Sequence, residues 1–298
     1  MNPRERRDHA MPKLLTKRKA AWIGKRKPDV VRGSVLNYPA GVADRYQKRI
    51  ERLIEKMIAE TERKIERLFN GEPATVFFAE DASVSSQARI LTNALTAKFD
   101  SLFGLYAKPL AEQMAQEADE ASKSGLYSSI KELSGGMSLK TDFLTLEMKD
   151  VLSATITENV GLIKSIPKRY LTNVQGAVMR SITTGNGLAD LKPFLDRYKA
   201  ITQKRASLIA NDQTRKAYAF MNKGRMESLK VPDFEWIHSH GGNHPRKLHQ
   251  QYDGKIFSLR SLPVIDERTG ERGIPGQLIN CKCKMRPIIK FEEVTNAG

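Results

Sequence analysis

The chain has 298 residues, 40% of them hydrophobic, enough to bury one large core or two smaller ones. It contains no run of about 18 apolar residues that could cross a bilayer, and no apolar stretch follows its charged N-terminus as a secretory signal requires. A formal charge of +16 and a pI near 9.8 point to a polyanionic partner such as nucleic acid, while two cysteines one residue apart fit a protein made in a reducing cytoplasm.

Half of the excess charge lies in the first segment. Between Met1 and Arg32 eleven basic residues face three acidic ones. Residues 1–40 therefore read as a basic flexible arm. Arg4, Arg6, Arg7, Lys13, Lys17, Arg18, Lys19, Lys25, Arg26 and Lys27 are its candidate nucleic-acid contacts, and Trp22 and Ile23 are an apolar anchor within it. A solvated tail is the alternative reading of the same run.

Residues 41–199 read as a helical body. Ile50, Leu53, Ile54, Met57, Ile58, Ile65, Leu68 and Phe69 recur at three- and four-residue steps, and Asn70-Gly71 closes that helix. Residues 72–86, with Pro73 and Val76-Phe77-Phe78, read as a loop packed on a neighbour. A second helix carries Leu91, Leu95, Phe99, Leu102, Phe103, Tyr106, Leu110 and Met114, with kinks expected at Gly104 and Pro109, and Gly135-Gly136 ends it. A third helix, marked by Phe143, Leu144, Val151, Leu152 and Ile156, is expected to break near Pro167. A fourth runs from Tyr170 to Gly185-Asn186-Gly187.

One more helix, or a pair, spans Leu188 to Lys230. After Pro232 the composition turns to Gly, Pro, His and Asn, and the short runs Phe234–Ile237, Lys255–Phe257 and Pro287–Ile289 suit strands in a loop-rich module. The expected fold class is a mainly α N-terminal body of long helices with a small α+β C-terminal module at 200–298.

Four of the five histidines, His238, His240, His244 and His249, fall within twelve residues, and Cys281-Lys282-Cys283 follows. Alternate residues of a strand share a face, so both cysteines can reach one ion, with His249 or His244 completing a tetrahedral zinc site. A packed, metal-free cysteine pair with solvent-facing histidines is the bland alternative. Histidines beside Asn243 in a basic chain also raise a metal-dependent nuclease or toxin-like enzyme as the second functional reading. No G-x-x-x-x-G-K-[ST] phosphate loop and no G-x-S-x-G elbow occurs.

The order Trp236, then Pro245-Arg246-Lys247-Leu248-His249, Asp253-Gly254-Lys255-Ile256-Phe257 and Asn280-Cys281-Lys282-Cys283 before Pro287 resembles the C-terminal domain of the phage Mu F-like head morphogenesis family. The preceding Arg205–Thr214 helix resembles it too, so the likeness covers about a third of the chain. The sequence departs from the family pattern at Asn211, often basic there, and at Lys282 and Lys284, where arginine is usual. A C-x-x-C of some relatives falls on Arg246 and His249.

The resemblance implies a non-enzymatic minor capsid protein of a tailed bacteriophage. Its expected place is the virion head near the portal, its partners the portal protein, capsid or scaffold proteins and packaged double-stranded DNA, with no membrane partner.

Overall fold

The computed structural model describes residues 30–71, 83–133, 141–241 and 245–290. The chain runs β1 (Val30–Arg32), α1 (Ala40–Phe69), α2 (Val84–Leu133), α3 (Leu146–Thr184) and α4 (Gly187–Ser228). It continues through β2 (Asp233–Ile237), α5 (Lys247–Gln251), β3 (Ile256–Ser258), β4 (Val264–Asp266), β5 (Glu271–Arg272) and β6 (Lys284–Lys290). Long helices thus make up the body, and short antiparallel strands the C-terminal module.

The chain folds into two compact units, one formed by Ala40–Gln116 and Leu152–Thr214, the other by Met1–Pro39, Glu117–Val151 and Arg215–Gly298. The linear division expected at residues 40 and 200 gives way to interleaved units, because α2, α3 and α4 each contribute to both.

In the first unit, α1 buries the stripe Tyr46, Ile50, Leu53, Ile54, Met57, Ile58 and Ile65, and Phe69 is followed by Gly71 at φ +69. A left-handed residue just past the last turn stops the helix. Leu91, Leu95, Phe99 and Phe103 of α2 and Ile163, Ile166, Tyr170 and Val174 of α3 are buried in the same unit. The polar groups inside are satisfied reciprocally: Tyr46 Oη donates to Asn159 Oδ1 at 2.9 Å, and Asn159 Nδ2 donates to Gln213 Oε1 at 3.1 Å.

One sequence expectation changes here. The break expected near Pro167 is absent, and α3 runs through it; Ile163, Ile166, Tyr170 and Leu171 are buried on both sides of the proline, and that packing outweighs the lost backbone bond. α2 runs as the one helix expected through Gly104 and Pro109, and of the two readings of 188–230, one helix or a pair, α4 is the single helix. Of the loop expected at 72–86, residues 72–82 lie outside the described residues, as does Gly135-Gly136, while Val84–Ser86 are helical and open α2.

The second unit is built on a four-stranded antiparallel sheet in the order β1-β6-β2-β3, with β4 and β5 as a separate two-stranded ribbon. The three strands expected near Phe234, Lys255 and Pro287 are β2, β3 and β6. β1 was not expected, since it lies in the segment read as flexible. Val31 pairs with Ile289 and Arg32 with Ile288, and Gly33 N donates to the Pro287 carbonyl at 2.9 Å. Pro287 lies opposite Phe234 in this strand and can take only the carbonyl half of its pairing, here from Gly33.

Trp236 lies opposite Met285, and Phe234 lies opposite both Phe257 and Pro287. Trp236, Phe234 and Met285, with Phe257 packed against them, join Leu126, Ile130, Met226, Leu259, Ile265, Ile274 and both cysteines in one apolar core. A charged group is also buried in this unit: Arg225, fully enclosed, donates to Asp119 Oδ1 at 2.5 Å, Ser122 Oγ at 2.9 Å and the Thr141 carbonyl at 3.0 Å.

Candidate metal centre

α5 is only five residues long, but it places His249 inward, with its side chain buried beneath Trp236. The two rings meet edge to face at 4.9 Å between centroids. Cys281 and Cys283 approach from the extended segment just before β6, so the alternation expected of a strand holds although the cysteines precede the strand itself. Both sulfurs face His249 Nδ1, at 3.5 Å for Cys281 and 3.7 Å for Cys283.

The other ring nitrogen, Nε2, lies 3.0 Å from the Ile265 carbonyl of β4. A carbonyl only accepts, so Nε2 carries the proton and Nδ1 presents its lone pair to the sulfurs. Gly276 N donates to Cys281 Sγ at 3.4 Å. Gly276 sits at φ +88, a left-handed conformation that suits glycine, and a Cβ there would meet the Ala219 side chain at 3.5 Å.

The cluster separates the two thiols chemically. Cys281 is pulled down to about 4, chiefly by the Cys283 thiol donating to its sulfur, against burial, and further by His249 and the Gly276 N–H. Cys283 is pushed far up by that same bond and by burial. The buried Trp236 indole N–H lies on the Cys283 side, where it favours the thiolate against burial. Both cysteines are free thiols.

The remaining histidines behave differently. His238 N and His240 Nε2 both engage Asp253, at 2.8 Å to Oδ1 and 3.0 Å to Oδ2. His240 N donates to His238 Nδ1 at 3.1 Å. Burial lowers the His238 pKa, and the backbone N–H of His238 holds the Asp253 carboxyl below its usual range. This knot ties the end of β2 to the turn at Asp253-Gly254, where Gly254 has φ +73 and donates to the Trp236 carbonyl at 2.8 Å. That turn joins α5 to β3.

Of the four candidate ligands, then, His249, Cys281 and Cys283 come together, while His244 and Asn243 lie outside the described residues. So do all ten candidate nucleic-acid residues from Arg4 to Lys27, with Trp22 and Ile23. Arg32, the last cation of the basic segment, is described, and its Nε lies 3.3 Å from Glu235 Oε2. The sequence reading missed Arg225, which carries no local signal, since a buried arginine in a helix looks like a surface residue. Asp253 was read as part of the motif, without its contacts to the histidines.

Among the described residues no helix is long and apolar enough to cross a membrane. Residues 172–286 match the family model described as Phage Mu protein F like protein. An uncharacterized protein of Haemophilus influenzae is 26% identical over 253 residues, covering 83% of this chain and 53% of that protein, so the chain spans about half the length of this relative. No solved structure matches. The matched segment runs from the second half of α3 to β6 and contains Trp236, His249, Asp253-Gly254, Cys281 and Cys283, so residues 172–286 are similar to the Phage Mu protein F like family through the same residues that form the buried Cys/His cluster and its turn.

Proposed function

We propose that this chain is a structural minor head protein of a tailed bacteriophage, acting in head morphogenesis at the portal and inner face of the procapsid. The match of residues 172–286 to the Phage Mu protein F like family carries this reading. The ordering role suits a module whose shape is set by a buried aromatic core, a tied turn and a Cys/His cluster. Portal, capsid and scaffold proteins are the expected partners, binding without turnover, and the basic segment before Gly33 would contact packaged DNA.

The test is the protein content of particles made with and without the gene. Mass spectrometry of purified virions and procapsids should find the chain at a few copies per particle, and deletion should lower the yield of DNA-filled heads. A chain missing from both particles, with normal head yield after deletion, would overturn the proposal.

A further inference from the structure

We propose that His249 Nδ1, Cys281 Sγ and Cys283 Sγ are three ligands of one tetrahedral zinc ion that ties α5 to the segment entering β6. The first argument is distance. Zinc bonds of about 2.3 Å to sulfur and 2.0–2.1 Å to nitrogen, at tetrahedral angles, put a sulfur and a nitrogen ligand about 3.6 Å apart. The two observed separations are 3.5 and 3.7 Å. All three donor atoms lie within 4.8 Å of one another.

The second argument is the orientation of the imidazole. A ligating histidine characteristically gives its other N–H to a carbonyl or carboxylate, which fixes the tautomer and the ring plane. His249 does this through Nε2 to Ile265 O at 3.0 Å. The Gly276 N–H directed at Cys281 Sγ is the matching outer contact on a sulfur, and it favours a thiolate.

The third argument weighs the metal against a packed, metal-free pair. Nδ1 has one lone pair, so it can accept a hydrogen from only one thiol at a time. Without an ion, one thiol must therefore turn to the other sulfur; a cation meets all three donors together, and binding releases the thiol protons. Two sulfurs and an imidazole are soft to borderline donors, which suit zinc and disfavour magnesium or calcium. The three side chains are buried and come from α5 and the segment entering β6, so an ion held by them would tie the two together.

The decisive experiment is a titration of the purified full-length chain, stripped with chelator under reducing conditions, with Co²⁺ and then Zn²⁺. One Co²⁺ per chain should bind with thiolate-to-cobalt charge-transfer absorption, and Zn²⁺ should displace it. Cys281→Ser and Cys283→Ser should each weaken binding by more than roughly a hundredfold, beyond the loss typical of an outer contact. His240→Ala, which alters the neighbouring histidine knot, should leave it unchanged. If a cysteine variant does not fold, the wild-type titration still decides. Absence of charge-transfer absorption from the folded wild-type chain, or its persistence in a folded double-serine variant, would overturn the site.

Discussion

At the scale of single residues, the side chain with most at stake outside the Cys/His cluster is Arg225. Its guanidinium has no exposed surface and depends on Asp119, Ser122 and the Thr141 carbonyl for every interaction that replaces water. Removing one partner of such a pair strands the other, at a cost of about 3–5 kcal/mol, whereas replacing both with apolar groups of similar volume is often close to neutral. Arg225→Met should therefore lower unfolding stability by about 3–5 kcal/mol in urea denaturation, and Arg225→Met with Asp119→Leu should recover most of that loss. Equal losses in the single and double variants would mean that the contacts to Ser122 and Thr141, and not the ion pair, hold this part of the unit.

At the scale of elements, β1 is the least expected piece of the fold and the easiest to test. Its three residues pair with β6, Gly33 N donates to Pro287 O, Leu36 N donates to Met285 O, and Glu235 takes both Arg32 and Arg286. A chain lacking residues 1–29 should keep its thermal midpoint. One lacking residues 1–33 should melt several degrees lower, because it exposes an edge of β6 and leaves Glu235 with only one of its two cations. Scanning calorimetry of the two truncations checks this, and identical midpoints would show that β6 is stable without its partner. The periodicity that revealed α1 and the alternation that revealed β2 were legible in the sequence; a three-residue strand inside a cationic run was not. Charge dominated its local pattern, and its pairing partner lies more than 250 residues away.

At the scale of the whole molecule, the charge is concentrated at one end of the chain, with eleven basic residues between Met1 and Arg32. If that segment contacts phosphates, each contact should add about −0.9 to the slope of log affinity against log salt on duplex DNA. Binding measured between roughly 50 and 200 mM salt should show a steep slope for the full chain and a shallow one after deletion of residues 1–29, with β1 left in place. An unchanged slope would move the DNA contact to the folded units. The same deletion leaves the proposed zinc ligands untouched, so the two ideas stand or fall separately.

By itself the sequence determined the class of each long segment and the family that its last third resembles. Three- and four-residue spacing, glycine stops and the order Trp236, Asp253-Gly254, Cys281, Cys283 are local quantities that need no partner to be read. It also named His249 and the cysteines, because alternation puts both sulfurs on one side of an extended chain. Tertiary structure alone decided the rest. Helices that look uniform along their length serve two different cores, since an amphipathic stripe does not record which neighbour covers it. Pro167 stays within α3 because burial on both sides outweighs its intrinsic cost. That His249 meets the sulfurs was decided by its packing beneath Trp236 and by the Ile265 carbonyl that orients the ring, contacts between residues that are distant in the chain.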